Sequence, residues 1–260
     1  MSADVVLSDK PSASLGRLNV GVLRSLRHQV RKWRPDVVLA NGGSTLRYTS
    51  AALAGMRGRH CLVYSSIGEP KYWIRGPVHR LVQKMLHKRA DQVLAVSGAT
   101  RDQLVGYVGV PAERVRVVYI GVPDELTGID WVRDDGSLHV LFLGSLSPEK
   151  NPAAALDVFE RVGQPDRFKL RFVGGGPLES ELRQLSGSML DMGVVEFAGS
   201  VRDVAPHLEW ADVLLLPSIT EGLPGAVLEA GAAGVPTVAF DVGGCGGHHQ
   251  QRNWLVGQRR

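Results

Sequence analysis

The chain has 260 residues, of which 44% are apolar and 22% charged, and it contains 31 glycines and 14 prolines. This length and apolar content can form the cores of one large or two smaller domains, which excludes global disorder, and the many turn-forming residues exclude a coiled coil or a collagen. The net charge of +4 hides an asymmetry, because residues 1–128 carry 19 Lys and Arg against 9 Asp and Glu, whereas residues 129–260 carry 11 against 17. We therefore predict a basic domain over 1–128, which faces an anionic partner, and an acidic domain over 129–260.

The N-terminal residues include Asp4, Asp9 and Lys10 and no apolar segment of signal-peptide length, so the sequence predicts no secretion signal. No uncharged stretch approaches the roughly 20 apolar residues that cross a bilayer. The two cysteines, Cys61 and Cys245, do not make a disulfide framework. These features favour a cytoplasmic location.

Nine short apolar runs predict β-strands. They are Val37–Leu39, Cys61–Tyr64, Val93–Val96, Val115–Ile120, Val140–Leu143, Leu170–Val173, Val194–Phe197, Val213–Leu216 and Thr237–Phe240. Most of these runs are continuous rather than alternating and are separated by segments with helical periodicity, which is typical of parallel strands buried on both faces. The sequence therefore predicts an α/β protein, and residues 121–136, which are acidic and rich in turn formers, are interpreted as the interdomain linker.

Residues 77–89 predict a helix with apolar residues at 78, 81, 82, 85 and 86 and basic residues between them. We favour the interpretation in which the apolar residues pack on the core and the basic face is solvated. The alternative is that this basic half of the chain contacts an anionic membrane surface, as a membrane-peripheral protein does. Nucleic acid is not predicted as a partner, because aromatic stacking platforms and a known recognition motif are absent.

Several predicted strands end in glycine-rich segments, and ligands of open α/β sheets bind outside such carboxyl ends. Lys150 follows one of these strands and can reach an anion there. After the strand 213–216, Pro224 suits the first turn of a helix whose free N–H groups form an anion site. Glu221 precedes this helix and Glu229 lies inside it. Solvated surface side chains are the alternative interpretation for these three charged residues.

Several segments match one known family in order along the chain. The weaker matches are Arg34–Val38, Ala90–Ser97 and Val118–Pro123, and the stronger ones are Gly144–Asn151, Gly174–Leu178 and Val195–Val201. Most specific is a Glu-x7-Glu signature, Glu221–Glu229, followed by Ala230–Val238 and Val242–Gly244. Together these segments, from about Pro35 to Gly244, resemble the retaining glycosyltransferases of the GT-B class, sequence family 4.

The resemblance implies two Rossmann-like domains of the GT-B type, with the acceptor side in 1–128 and a nucleotide diphosphate sugar bound in 129–260. Lys150 would neutralise the diphosphate and Glu221 would contact the transferred sugar, so these two are the implied catalytic residues, while Glu229 would hold the ribose hydroxyls. The other implied donor-binding residues are Gly144, Ser145, Gly174, Ser200, Val201, Gly222, Leu223, Pro224 and Gly225. The implied reaction is hexosyl transfer, with retention, to a glycan or lipid-linked acceptor in polysaccharide biosynthesis.

Neither a bound metal nor a cofactor other than the sugar donor is expected. The chain lacks the Asp-x-Asp pair by which the other large glycosyltransferase class holds a divalent cation. Glu179 and Glu181 are interpreted as first-turn acids of a helix. Cys245, His248 and His249 lack a second ligand pair at metal spacing, which argues against a metal site there.

Four departures from the family pattern affect what the resemblance implies. Ser145 stands where the family has an arginine that contacts the diphosphate, and residues 65–69 contain no counterpart of the acceptor-side histidine. The family's first strand and glycine-rich loop are not found before Val5, and the glutamate and closing helices expected after Gly244 are missing. We therefore expect both domains to be incomplete and catalysis to be poor, and the alternative function is a non-catalytic nucleotide-sugar-binding remnant of such an enzyme.

Overall fold

The computed structural model describes residues 18–56, 60–127, 136–164 and 167–245, together with the strand Trp254–Gly257. Its contacts divide the chain into two compact units, Met1–Val118 and Tyr119–Arg260, which we call unit 1 and unit 2. The predicted linker, 121–136, falls within unit 2 by this division. Each unit contains one parallel β-sheet.

Some predictions from the sequence concern residues outside the described ones. They are the linker residues 128–135, the N-terminal residues before Leu18, and the tail residues 246–253 with His248 and His249. The absence of a first strand before Val5 and the interpretation of the two histidines therefore stay predictions.

Unit 1 is built on a four-stranded parallel sheet in the order β1-β2-β3-β4. Its strands are β1 (Val37–Asn41), β2 (Cys61–Ser66), β3 (Gln92–Ala95) and β4 (Val115–Val117). Its helices are α1 (Val20–Trp33), α2 (Gly43–Leu53), α3 (Pro70–Trp73), α4 (Pro77–His87) and α5 (Gly98–Gln103), and α5 continues into a π-helical segment, Leu104–Val108. The side chains of alternate strand residues, such as Leu62 and Tyr64 on β2, fill the core beneath these helices.

The orientation of α4 corrects the favoured interpretation of residues 77–89. The apolar residues at 78, 81, 82 and 85 are exposed, and the helix buries Gln83 and His87 instead. His87 Nδ1 donates to the Gln83 carbonyl one turn earlier at 2.7 Å, and the His87 and Tyr64 rings pack edge to face at 4.9 Å, while Gln83 Oε1 and His87 Nε2 have no partner among the described residues. Of the predicted apolar residues only Leu86 packs on the core, so the side of α4 with Gln83, Leu86 and His87 faces the sheet and the other aliphatic side chains face outward.

Unit 2 is built on a six-stranded parallel sheet in the order β10-β9-β8-β5-β6-β7. Its strands are β5 (Leu138–Leu143), β6 (Phe168–Val173), β7 (Val195–Gly199), β8 (Val213–Leu216), β9 (Thr237–Phe240) and β10 (Trp254–Gly257). Its helices are α6 (Pro152–Val162), α7 (Glu179–Asp191), α8 (Ala205–Trp210) and α9 (Gly225–Ala232). As predicted, Glu179 and Glu181 are acids of the first turn of α7.

The strand order of unit 2 reverses beside β5. This strand pairs with β6 on one side and with β8 on the other, so the chain leaves β5 in one direction and returns to its other edge from β7. Such a reversal is the topological switch point at which open α/β sheets bind ligands. The sheet is buried on both faces, with Leu141 and Leu214 in one core cluster and Phe142 and Phe172 in the other.

The fold class predicted from the sequence is confirmed, and all nine predicted strands are present. Strand β4 is shorter than its apolar run, since Val118, Tyr119 and Ile120 lie beyond its end and are exposed. A tenth strand, β10, which is not among the predicted strands, pairs with β9. None of the helices in the described part of the chain has the length and apolar content of a membrane-spanning helix.

Candidate functional site

Two loops meet at the switch point of unit 2. One follows β5 and carries Lys150, and the other follows β8 and carries Glu221. The backbone N–H of Ile219 donates to the Glu149 carbonyl at 2.7 Å, which ties the loops together. Lys150 Nζ donates to Glu221 Oε1, also at 2.7 Å, so the two residues with implied catalytic roles form one ion pair.

This ion pair is largely removed from water. The Glu221 side chain is 7% exposed and the Lys150 side chain 23% exposed. Lys150 is held in a tight turn before α6, where its N–H donates to the Ser147 carbonyl, and Asn151 then adopts a left-handed conformation with φ of 50° before Pro152 begins the helix. A desolvated charge is costly without its partner, so each member of the pair depends on the other.

The loops after β5, β6 and β7 pack directly on one another. Gly174 has a φ of +136°, and a Cβ at this position would overlap the carbonyl oxygen of Gly144. The N–H of Gly174 donates to the Gly199 carbonyl at 2.8 Å, and a Cβ on Gly175 would come within 2.8 Å of Ser200 Oγ. The loops that carry Gly144, Gly174 and Ser200 are therefore neighbours, as their implied shared role requires.

A fourth loop closes on the ion pair from the other side. Gly243, after β9, has a φ of +54°, and a Cβ there would overlap the carbonyl oxygen of Glu221. Across the pair, a Cβ on Gly144 would lie only 3.8 Å from Lys150 Cε. Gly144, Lys150, Glu221 and Gly243 thus form a continuous line of contacts along the carboxyl end of the sheet.

The segment Gly222–Gly225 leads from Glu221 into α9. Residues 222–224 are buried, and Pro224 caps the helix, which starts at Gly225, whereas the sequence suggested that Pro224 lies in the first turn. Because the first N–H groups of a helix have no partner within the helix, the start of α9 offers hydrogen-bond donors and a positive dipole end beside the ion pair.

Glu229 is the fifth residue of α9 and its carboxyl group is half-buried. Burial raises the pKa of this carboxyl group above its ordinary value. Within the described residues the Glu229 side chain forms no hydrogen bond or ion pair. A partly desolvated carboxylate with open acceptor positions can receive hydroxyl donors from a ligand.

The remaining predicted residues differ in how closely the structure connects them to the ion pair. Ser145 Oγ lies 3.1 Å from Ser147 Oγ, so this side chain bonds within its own loop. Val201 packs against the core cluster that also contains Leu143 and Leu216, at the ends of β5 and β8. Within the described residues, neither side chain forms a hydrogen bond with Lys150 or Glu221.

Two buried residues of these loops were not predicted as site residues. Ser218 is 0% exposed, and its hydroxyl has no hydrogen-bond partner among the described residues. Cys245 is buried, and burial, with a smaller contribution from the Glu221 charge, raises the pKa of its thiol to about 12. Neither residue carries a sequence signal for this place, because a serine in a loop and a cysteine among glycines are common. Within the described residues, no three His, Cys, Asp or Glu side chains gather as a metal ion requires.

Two family models match the chain. The model described as "Glycosyltransferase Family 4" matches residues 3–126, and the model described as "Glycosyl transferases group 1" matches residues 137–260. Together the two models cover nearly the whole chain, which belongs to this family of glycosyltransferases. One match lies in each part of the chain, and the match to residues 137–260 includes the loops that carry Lys150 and Glu221.

Curated relatives of this glycosyltransferase include enzymes named for polysaccharide biosynthesis. The putative colanic acid biosynthesis glycosyltransferase WcaL of Salmonella typhimurium is 31% identical over 166 residues, which cover 60% of this chain and 41% of the relative. Sulfoquinovosyl transferase SQD2 of Arabidopsis thaliana is 23% identical over 239 residues, which cover 83% of this chain and 44% of the relative. The chain thus spans less than half the length of these two relatives.

Solved structures support the same fold. The crystal structure of Anabaena Alr3699/HepE in complex with UDP and glucose is similar with a TM-score of 0.75 at 21% identity, over 91% of this chain and 67% of that one. At this level of identity the similarity concerns the fold, and it agrees with the two parallel α/β units of this glycosyltransferase.

Proposed function

We propose that this glycosyltransferase moves a hexosyl group from a nucleoside diphosphate sugar, with retention of anomeric configuration, to a glycan or lipid-linked acceptor. The observation that carries the proposal is the Lys150–Glu221 ion pair at the switch point of the unit 2 sheet, with a contact distance of 2.7 Å. A cation and a carboxylate held side by side match the two chemically different parts of such a donor, which are an anionic diphosphate and a neutral polyhydroxylated sugar.

The diphosphate is assigned to Lys150 and to the start of α9. Lys150 donates to the phosphate oxygens in place of Glu221, and the N–H groups of Gly222, Leu223 and Gly225 complete the cradle. The neighbouring loops at Gly144, Gly174 and Ser200 are assigned to the rest of the donor, because they pack beside the Lys150 loop at the same end of the sheet.

The sugar hydroxyls and the ribose are assigned to the two carboxylates. Glu221, released from Lys150 when the phosphate binds, accepts hydrogen bonds from the hydroxyls of the transferred sugar. Glu229 accepts from the ribose hydroxyls, for which its open acceptor positions and partial burial are suited. Both roles need ionised carboxylates, so donor binding should weaken as the pH falls through the raised pKa of Glu229.

In the proposed reaction, the bond between the anomeric carbon and the diphosphate oxygen breaks and its electron pair leaves with the diphosphate. The acceptor hydroxyl forms a new bond to the same carbon, and its proton passes to the departing diphosphate oxygen. Lys150 and the N–H groups of α9 stabilise the negative charge on the leaving diphosphate, which is electrostatic catalysis by groups already in place. The proposal therefore includes transfer without a bound metal.

The similar proteins also support the proposed classes of donor and acceptor. A similar structure, that of HepE, was solved with UDP and glucose, and the name of WcaL refers to a polysaccharide. A lipid-linked acceptor would bring the enzyme to a membrane surface, for which the excess of 19 basic over 9 acidic residues in residues 1–128 is suited.

The test is calorimetric binding of UDP, GDP and their glucose and mannose conjugates to the full chain and to Lys150→Ala. We expect Lys150→Ala to bind the diphosphate more weakly by about 1.5–3 kcal/mol, the value of a hydrogen bond to a charged group. Lys169→Ala, a lysine of the same unit that lies near the start of β6, is the matched control and should bind like the native chain.

Transfer is then measured with the donor that binds best and a panel of glycan and lipid-linked acceptors. Activity should persist in the presence of a chelator, and the product should keep the anomeric configuration of the donor. Equal affinity of the native chain and Lys150→Ala would remove the diphosphate assignment. Binding of the donor without transfer to any acceptor would favour the non-catalytic alternative.

A further inference from the structure

The outward face of α4 is unusual for a water-exposed helix. Val78, Leu81, Val82 and Met85 are 75%, 60%, 43% and 61% exposed. Their spacing of i, i+3, i+4 and i+7 places them in one stripe along the helix. Contiguous exposed apolar stripes of this kind mark surfaces that meet another apolar phase.

The outward direction of the stripe is fixed by contacts on the opposite side of α4. Gln83 and His87 are buried there, and His87 is hydrogen bonded and packed against Tyr64. Beyond the end of the helix, Arg89 Nη1 donates to the Ser50 carbonyl at 3.0 Å. Turning the aliphatic stripe inward would lose the packing of His87 on Tyr64 and of Leu86 on the core, so the stripe belongs to the surface of unit 1.

The surroundings of the stripe are cationic. Residues 70–90 contain six basic residues and neither Asp nor Glu. The six, all exposed, are Lys71, Arg75, Arg80, Lys84, Lys88 and Arg89. The Arg80 guanidinium lies over the Tyr107 ring at 5.2 Å, which holds this charge beside the helix. An aliphatic stripe bordered by cations is the pattern of a helix that lies in the interface of an anionic bilayer.

Charge and side-chain type decide against other occupants. A second copy of the chain on the same face would bring two sets of basic residues together, which is unfavourable. Nucleic acid would meet the cations and leave four aliphatic side chains without an apolar partner, and α4 contains no Phe, Tyr or Trp on which a base could stack. A bilayer surface satisfies both parts of the face.

We propose that α4 docks unit 1 on an anionic bilayer surface, with Val78, Leu81, Val82 and Met85 inserted at the headgroup boundary and the flanking lysines and arginines on anionic headgroups. This inference deepens the proposed function, since it rests on the choice of a lipid-linked acceptor and names the surface that brings the enzyme to it. The helix then lies parallel to the membrane plane, as its single apolar stripe requires.

The test uses the full chain in a flotation assay with vesicles of phosphatidylcholine alone and of equal parts phosphatidylcholine and phosphatidylglycerol. The double variant Leu81→Ser/Met85→Ser removes two exposed side chains, so folding is unaffected and is checked by circular dichroism. Leu185→Ser/Met192→Ser is the matched control, because these residues of unit 2 are 53% and 58% exposed. The charge variant is Lys84→Glu/Lys88→Glu.

We expect binding to the anionic vesicles that falls at least tenfold in both α4 variants and is unchanged in the control. Equal binding to both vesicle types, or equal binding by the native chain and Leu81→Ser/Met85→Ser, would overturn the proposal. A dimer in solution that becomes a monomer in this variant, with vesicle binding unchanged, would also overturn it and assign the face to a second copy. Calorimetry with nucleotide separates the two proposals, since the α4 variants should bind the donor normally even if docking fails.

Discussion

The strand ends of the two sheets carry the same sequence signal and are built differently. In unit 1, Gly68 and Gly98 follow β2 and β3, and a Cβ at either would meet nothing within 4 Å, while a Cβ at Gly43, after β1, would meet only the Trp73 side chain. In unit 2, a Cβ at Gly174 or at Gly243 would overlap a backbone carbonyl of the neighbouring loop. Glycine thus follows strands in both units, but among the described residues only in unit 2 would its Cβ overlap the backbone of a neighbouring loop.

This difference in loop packing indicates which sheet can hold a preorganised site. Loops that pack backbone against backbone hold their neighbours in one geometry, which a charged pair such as Lys150–Glu221 needs in order to stay aligned. The open strand ends of unit 1 provide no such constraint from within that unit. We therefore expect substitutions at the strand ends to act strongly in unit 2 and weakly in unit 1.

The largest effect is expected for Gly174→Ala. The new methyl group would overlap the Gly144 carbonyl, and the left-handed backbone would be strained in addition, so the free energy of unfolding should fall by about 3 kcal/mol or more. Gly98→Ala, at the open start of α5, should change it by less than about 0.5 kcal/mol. Urea unfolding followed by circular dichroism measures both, and equal losses would break the comparison between the units.

The next largest effect concerns the ion pair. Lys150→Met leaves the buried Glu221 charge without a partner and should lower the free energy of unfolding by about 2–4 kcal/mol. The double variant Lys150→Met/Glu221→Gln, in which no charge is left unpaired, should recover at least half of that loss. The exposed pair Arg161–Asp157 on α6 is the control, and Arg161→Met should cost less than about 1 kcal/mol. If the double variant were no more stable than Lys150→Met, the two charges of the ion pair would not be coupled.

The smallest effect is expected at His87, the histidine that α4 buries in unit 1. Burial lowers the pKa of His87 below its ordinary value, so the folded chain takes up a proton here less readily than the unfolded chain does. Stability is therefore unaffected above about pH 6.5 and is lost as the pH falls below that value towards the lowered pKa. His87→Gln should lose less thermal stability than the native chain between pH 7.5 and pH 5.5. An identical loss in both would show that His87 is not responsible.

Much of the fold could be predicted because its signals are local. The apolar runs that became β1 to β9 are rich in branched residues and bounded by glycine or polar residues, and each was found in the structure. Strand β10 was missed because its four residues lie in a polar, glycine-rich tail and depend on pairing with β9. Local patterns do not carry that information.

The site and α4 show two further limits of sequence patterns. Lys150 and Glu221 were each predicted as site residues, but the ion pair between them depends on the pairing of β5 with β8, which brings residues 71 positions apart together. The apolar period of α4 predicted a helix correctly and its orientation wrongly. A stripe of aliphatic residues identifies a face and does not say whether protein or another phase covers that face.

The ion pair also determines which anions can fill the site. Lys150 Nζ is already satisfied by a carboxylate at 2.7 Å, so any anion must displace that carboxylate before it gains the contact. Chloride or a single orthophosphate exchanges one charged contact for another and gains little. In the proposed function, a diphosphate ester reaches Lys150 and the start of α9 together and also offers hydroxyl groups to the displaced Glu221. The proposal therefore implies that the ion pair disfavours abundant small ions and favours ligands that occupy several positions at once.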